Sequence, residues 1–329
     1  MSLSELLHRL HTDHTSGAST LLALAIDILE TFTAQSATHE ADNFHAALSA
    51  LVQTLLAAQP SMAPLINLVN QALLACPETL TPPMARQQLQ HMLTARRAQT
   101  HASITRLCQQ ALVALPPGAT VLTYSNSATV IAALQHAYAR GRVQRVVLSE
   151  SRPAYDGRPQ ALALLAHGMA IEYSIDMALF DRLPEAHVVL VGADAVLPHG
   201  LVNKLGTRPL ALMARRCGIP MFSLCTSDKF LPATAVPLLH IVDHPGQEVW
   251  PEAPPGVSIR NRYFDVTPLP LFSGIISQHG IYAPAALHAH LQRQQVAPTL
   301  LQLAAHPAAG DEHGTFATHG AALEHVEER

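Results

Sequence analysis

Lysine is nearly missing from this 329-residue chain: Lys204 and Lys229 stand alone against eighteen arginines. Genome base composition accounts for such a bias, yet a lineage that avoids lysine keeps it where a compact ammonium is needed. Both positions lie next to candidate strand ends. Aromatic residues are scarce, at 5% with a single tryptophan, which argues against a base-stacking platform. Charged residues make up 13% and the net charge is −4 with neutral histidine. A general nucleic-acid binder carries a basic surplus, so no nucleic-acid partner is expected. The four cysteines, Cys76, Cys108, Cys217 and Cys225, are far apart and form no Cys-x-x-Cys pair, which excludes a small disulfide framework.

Long apolar runs are missing too. Glu5, His8 and Arg9 interrupt residues 1–10, and Asp27 breaks residues 21–29. Neither stretch makes a signal peptide or a membrane span. The expectation is a soluble, cytoplasmic protein with no membrane partner. No Gly-x-Gly-x-x-Gly, Gly-x-x-x-x-Gly-Lys-Ser/Thr, Gly-x-Ser-x-Gly or His-Glu-x-x-His occurs. Dinucleotide dehydrogenases, P-loop NTPases, α/β-hydrolases and zinc proteases of that kind therefore lose ground. No metal and no cofactor are expected: His306, His313, His319 and His325 lack tight ligand spacing and read as solvated.

What is present is a core-building composition, 49% hydrophobic, on a length that allows two domains. Apolar residues recur at helical spacing through the first 115 positions, as in Leu3, Leu6, Leu7 and Leu10, then Leu22, Ala25, Ile26, Leu29 and Phe32. Residues 44–58 and 63–76 behave alike, Pro82-Pro83 breaks the pattern, and 84–115 resumes it. Pro116-Pro117-Gly118 reads as a boundary. Beyond it, candidate strands at 120–124, 145–150, 170–175, 187–192, 219–225 and 263–266 alternate with helical patterns at 128–139, 158–166 and 201–217. That alternation implies βαβ units, right-handed crossovers and a mostly parallel sheet with helices on both faces. The assignment is a helical domain at 1–117, an α/β domain at 118–305 and a flexible tail at 306–329.

Ligands of open parallel α/β sheets bind outside the carboxyl ends of strands, and polar residues cluster there. Ser125, Asn126 and Ser127 precede a helix, where free N–H groups and the dipole favour a phosphate; a plain N-cap is the competing reading. Arg152, Arg158 and Lys204 add anion partners. Asp194, in Gly192-Ala193-Asp194, is a candidate acid–base group among these cations, or else a structural cap or ion pair. Cys217 and Cys225 read as buried small hydrophobes, with Cys225 the thiol nearest the polar edge. Trp250, in a Pro-rich loop, reads as a packing anchor. Lys229 is structural or binds phosphate.

Gly192-Ala193-Asp194, Asn203-Lys204-Leu205-Gly206-Thr207, Glu150-Ser151-Arg152-Pro153 and Phe264-Asp265-Val266-Thr267-Pro268, in that combination, resemble one superfamily. It unites ribose-1,5-bisphosphate isomerase, methylthioribose-1-phosphate isomerase and the regulatory subunits of eukaryotic translation initiation factor 2B. The resemblance covers most of residues 118–282. Ser16-Gly17-Ala18-Ser19 and Gln59-Pro60-Ser61-Met62-Ala63-Pro64 look like further landmarks of the family.

The resemblance implies a helical N-terminal domain on a Rossmann-like domain, with a sugar phosphate between them. It implies conversion of an aldose 1-phosphate into a ketose phosphate by an acid–base pair. The family's aspartate carries over to Asp194, its Asn-Lys pair to Asn203 and Lys204, and its Gly-Ala element to Gly17 and Ala18. The family's catalytic cysteine does not carry over, because Ser125 stands in its place, and a serine hydroxyl is a much poorer base than a tuned thiol. His199 is the nearest histidine that could activate it. Gln59 and Gln278 depart from the arginine and glutamate common in the isomerases. The expected activity is an isomerase acting through Asp194 and Ser125, on a ligand held by Gly17, Ala18, Asn126, Ser127, Arg152, Arg158, Asn203 and Lys204. The alternative is a non-catalytic sensor of a phosphorylated sugar or nucleotide. A homodimer or hexamer is expected, with 269–276 as interface or core.

Overall fold

The computed structural model describes residues 1–13, 17–36 and 43–305. The expectations for Ser16, for the tail at 306–329 and for its four histidines fall outside them. Five helices open the chain: α1 (Leu3–Thr12), α2 (Ala18–Gln35), α3 (Phe44–Ala58), α4 (Ala63–Ala75) and α5 (Pro82–Ala111). Their apolar positions form one core, with Leu10, Ile28, Leu29, Leu55 and Leu65 fully buried. The break expected at Pro82-Pro83 lies between α4 and α5, and the two prolines themselves begin α5. The first turn has no intrahelical acceptor for its N–H groups, so proline loses nothing there.

Over its 30 residues α5 reaches about 45 Å. Its start, with Ala85, Leu89 and Leu93, packs in the helical core, and its end, with Leu107, Cys108 and Ala111, packs on the sheet. The same helix thus ties the two halves together.

The strands are β1 (Ala119–Tyr124), β2 (Val143–Ser149), β3 (Ala170–Ser174), β4 (Val188–Val191), β5 (Ala195–Leu197), β6 (Gly200–Lys204), β7 (Met221–Leu224), β8 (Phe264–Thr267), β9 (Gly274–Ser277) and β10 (Gly280–Tyr282). Seven of them form one sheet in the order β10-β9-β7-β4-β1-β2-β3. All its pairings are parallel except β9 with β10. The remaining helices are α6 (Ala128–Tyr138), α7 (Gly157–Leu165), α8 (Thr207–Arg216), α9 (Pro284–Gln292) and α10 (Pro298–Ala305). Side chains alternate across the sheet. Val121, Val188 and Leu190 face a core shared with α6 and the end of α5, whereas Leu122, Val189 and Val191 face one shared with α8 and α9. This is the two-faced parallel architecture expected of βαβ repeats.

Two expectations are corrected and one open alternative is resolved. Residues 201–217 are not one helix: 200–204 form β6, and α8 begins at Thr207 after Gly206, whose φ is +108°. The spacing of Leu201, Leu205 and Leu210 imitates a helix, but the two neighbours of β6 take its ladder bonds. The predicted strand at 263–266 lies outside the parallel sheet, as β8 in an antiparallel trio with β5 and β6. For residues 269–276 the core alternative holds: Leu269 and Phe272 are buried and 274–277 is β9, between β7 and β10.

The small sheet sits between the cores. Ala195, Leu197 and Val202 pack into the helical core, while Val196 and Leu201 pack towards the main sheet. Side-chain bonds reinforce the junction. Asn67 of α4 donates to the carbonyls of Asp228 and Phe230 at 2.7 and 2.9 Å, and Arg96 of α5 pairs with Asp228 at 3.6 Å.

Candidate functional site

β1 and β4 are neighbours, yet β1 leads to β2 and β3 while β4 leads to β7 and β9. Such a reversal leaves a crevice outside the carboxyl ends of the two strands. Ser125 and Gly192 follow those ends directly. A Cβ at Gly192 would stand 2.7 Å from Ser127 Oγ, so glycine lets the end of β4 lie against the start of α6.

Ser125 and Ser151 adopt left-handed backbone conformations, with φ of 68° and 56°. The Ser125 N–H donates to Ser151 Oγ at 2.9 Å. The Ser151 and Arg152 N–H groups donate in turn to the Asp176 carboxylate at 2.8 and 2.9 Å, and the Ser149 hydroxyl does so at 2.7 Å. Ser127 caps α6, its Oγ accepting from the Val130 N–H at 3.4 Å. Its own N–H goes to Gln160 Oε1 at 2.9 Å, and Gln160 is buried and also donates to Thr123. The idea of an open row of N–H groups at 125–127 is corrected here, because protein side chains already occupy the amides of 125 and 127. What Ser125 presents to the crevice is its half-buried side chain, next to the exposed Asn126.

Asp194 sits in the turn from β4 to β5, held by its N–H bond to Val202 at 2.8 Å. Its carboxyl takes no hydrogen bond among the described residues. Burial is the main cause that raises its pKa above the usual carboxylate value; Lys229 and then Lys204 pull it down, and Asp156 pushes it up. Both lysines of the chain therefore bear on one carboxyl, Lys204 from the end of β6 and Lys229 from the turn after β7.

Lys204 is buried, and its ammonium lies 2.5 Å from Asp156 Oδ2 and 4.3 Å above the Tyr263 ring. Tyr263 stacks on His244 at 3.7 Å between ring centres and donates its hydroxyl to Glu248 at 2.5 Å. Asn203 donates to Thr207 Oγ1 at 2.9 Å, and Thr207 donates to the Lys204 carbonyl at 2.6 Å. Gly206 N–H and Arg208 N–H, at the start of α8, both reach Asp265. Arg152 and Arg158 lie over the Tyr155 ring at 4.8 and 3.8 Å, and Arg152 also donates to the Val249 carbonyl. Tyr155 is the third left-handed residue of this edge, with φ of 58°.

Other singled-out residues fall elsewhere. Gly17 and Ala18 begin α2, and no hydrogen bond or ion pair joins them to the strand edge among the described residues. Gln59 anchors the end of α1, donating to the carbonyls of Leu10 and Asp13 at 2.7 and 3.1 Å. His199 is at the tip of the β5–β6 hairpin, five residues from Lys204 and thus about 15 Å along the strand. Gln278 closes a reciprocal pair with Ser227, accepting from its N–H at 3.0 Å and donating to its hydroxyl at 2.7 Å. Cys225 is fully buried, and burial pushes its thiol up to about 12. Trp250, read as a packing anchor, is 49% exposed. A recess of about 400 Å³ is lined by residues that include Asn70, Arg96, Asp228, His279 and His290.

The sequence reading passed over Asp156, Gln160, Asp176 and Tyr263. Asp156-Gly157 was the visible signal: a Cβ at Gly157 would overlap the Ser149 carbonyl at 1.7 Å, so the turn runs hard against the end of β2 and aims Asp156 inward. Nothing local marks the other three. Among the described residues no group of three or more His, Cys, Asp or Glu side chains is placed to hold a metal ion, and no helix is long and apolar enough to cross a membrane.

Comparison with known proteins bears on the family and the fold. The ribose 1,5-bisphosphate isomerase of Archaeoglobus fulgidus is 28% identical, over 85% of this chain and 89% of its own. That of Methanocaldococcus jannaschii is 35% identical, but this chain spans only 56% of it and the match takes in 51% of this chain. A protein of Pyrococcus horikoshii described as a putative translation initiation factor eIF-2B subunit 2-like is 31% identical, over 72% of this chain and 82% of its own. Among solved structures, the eIF-2B translation initiation factor of Pyrococcus horikoshii superposes with a TM-score of 0.72 at 27% identity, covering 86% of this chain and 97% of that one. The 5-methylthioribose 1-phosphate isomerase of the same organism shares the fold, with a TM-score of 0.69 at 21% identity, covering 88% and 87%. Residues 14–284 match the family described as the initiation factor 2 subunit family, and the chain belongs to it.

Proposed function

We propose that this protein is an aldose–ketose isomerase of a phosphorylated pentose, of the ribose-1,5-bisphosphate isomerase kind. The observation that carries the reading is the Asp194 carboxyl, held towards its protonated form by burial at the strand-order reversal and flanked by both lysines. A carboxyl whose pKa is raised by burial is better poised to donate a proton than a solvated one. Asp194 gives its proton to the ring oxygen of the sugar. The Ser125 hydroxyl serves as a hydrogen-bond donor to a substrate oxygen. Lys204, Asn203, Arg152 and Arg158 gather the anionic end of the substrate, with Asn126 and Ser127 at the start of α6. Gly17 and Ala18 close on a phosphate from the helical side. Relatives named as isomerases support this reading.

A second reading, a non-catalytic sensor of a sugar or nucleotide phosphate, is favoured by the serine at 125. NMR observation of α-ribose 1,5-bisphosphate with the purified protein, beside its Ser125→Cys variant, separates the two. Ribulose 1,5-bisphosphate formed by the unmodified protein establishes the isomerase. Turnover by Ser125→Cys alone makes the natural protein a binder, and silence from both without shifted resonances excludes this substrate.

The proposal extends to a homodimer or dimer-based hexamer, in the cytoplasm, built from domains at 1–117 and 118–305. Leu162, Leu165, Tyr173, Ile175 and Met177 are exposed on α7, the edge strand β3 and the turn after it, an apolar group suited to a subunit contact. A monomeric mass in light scattering overturns the oligomer.

A further inference from the structure

An isomerisation of this class needs two groups of opposite protonation, one to give a proton and one to take it. Asp194 supplies the donor. The taker has to be found elsewhere, because a serine hydroxyl is a weak base without a partner, and the Ser125 and Ser151 hydroxyls pair with no histidine among the described residues. Cys225 is sealed in the core, and His199 is a hairpin's length away.

We propose that Asp156 is this second acid–base group, which the sequence pattern did not single out. Its carboxylate lies 2.5 Å from the buried Lys204 ammonium, yet the Asp156 side chain keeps 30% of its surface open. In this ion pair the lysine is the buried member and the carboxylate the accessible one, so Asp156 is anchored at one oxygen and still open to a ligand. The groups that bear on it come from every side of the crevice: Lys204 of β6, Tyr263 before β8, Asp194 after β4 and Tyr124 of β1. Asp156 is also the residue before α7, but its side chain makes no capping bond. The helix therefore does not explain its presence there, and the Lys204 contact does.

The step balances as follows. The C1–O4 ring bond of the aldose 1-phosphate breaks and its electron pair stays on O4, which takes the Asp194 proton. The hydrogen on C2 moves to C1 with its bonding pair. The O2–H pair becomes the C2=O bond as the O2 proton passes to Asp156. Exchange with solvent then restores both carboxyls, and no oxidant or reductant is consumed.

This inference rests on the isomerase reading, and the test separates their failures. If the unmodified protein leaves α-ribose 1,5-bisphosphate unchanged, the isomerase reading fails first. Given turnover, Asp156→Asn, a residue equally suited to begin a helix, is expected to lower kcat by about 100-fold or more with substrate Kd within about threefold. Loss of kcat without loss of substrate binding is a split that a structural role does not predict. Asp156→Glu is expected to restore part of kcat, and Asp156→Ser checks the result if Asp156→Asn melts early. Retention of kcat within about threefold, or parallel loss of kcat and substrate binding, overturns the proposal.

Discussion

Ser151 Oγ accepts the backbone N–H of Ser125 at 2.9 Å, stitching the end of β1 to the end of β2 across two left-handed residues. The bond places Ser125 at the crevice, and Asp176 holds it in place by accepting from Ser149, Ser151 and Arg152. Asp176→Ala leaves these donors without their carboxylate. It is expected to cost about 3 kcal/mol in urea denaturation and to weaken ligand binding. A change under about 0.5 kcal/mol sinks the role assigned to this bracket.

Asp194→Asn is expected to abolish turnover while substrate still binds. It also carries a stability signature. A buried carboxyl with a raised folded pKa binds its proton more tightly folded than unfolded, so stability falls as pH rises from the unfolded value towards the folded one. Above that window the full penalty of a buried charge remains. Asp194→Asn is therefore expected to melt a few degrees higher than the natural protein at pH 8, with the gain shrinking as pH falls through the raised folded value and gone once it reaches the ordinary carboxylate range. A gain that does not change with pH contradicts this origin.

Gly192 and Gly157 are close-approach positions. Gly192→Ala puts a Cβ within 2.8 Å of the Ser127 side chain, which must swing away from the α6 cap. About 1–3 kcal/mol is expected, together with weaker ligand binding. Gly157→Ala meets the Ser149 backbone carbonyl at 1.7 Å; that atom belongs to a central strand, so the larger loss is expected there. Thermal denaturation of the pair checks the order.

Lys204→Arg is not a conservative change at this site. A planar guanidinium is too large for the pocket between Asp156 and Tyr263 that the compact ammonium fills. The expected result is substrate affinity lowered by about tenfold or more with the helical content unchanged, measured by titration calorimetry and circular dichroism. Unaltered affinity removes Lys204 from the ligand contacts.

Gln59→Ala removes two bonds that hold the carbonyls of Leu10 and Asp13 at the end of α1. Hydrogen exchange is expected to accelerate there, with a stability loss of about 1–2 kcal/mol. Unchanged exchange shows that the end of α1 is fixed by other contacts.

The sequence by itself determined the architecture: helices to residue 115, then strands alternating with helices. Those periodicities report which face of each element is buried, and burial is local information written in every second or every third and fourth residue. It also marked Asp194 and both lysines, because short polar motifs after apolar runs fall at strand ends. Tertiary structure alone decided the rest. β6 was hidden because Leu201 and Leu205 imitate a helical stripe, while its ladder partners β5 and β8 lie up to 66 residues away in the chain. Pro82 and Pro83 could end or begin a helix, and only the packed start of α5 settled which. The convergence of Asp156, Lys204, Tyr263 and Asp194 was not legible either. A charge contact between residues far apart in sequence leaves no period to read; it exists only once β2, β4 and β6 have been brought to one edge of the fold.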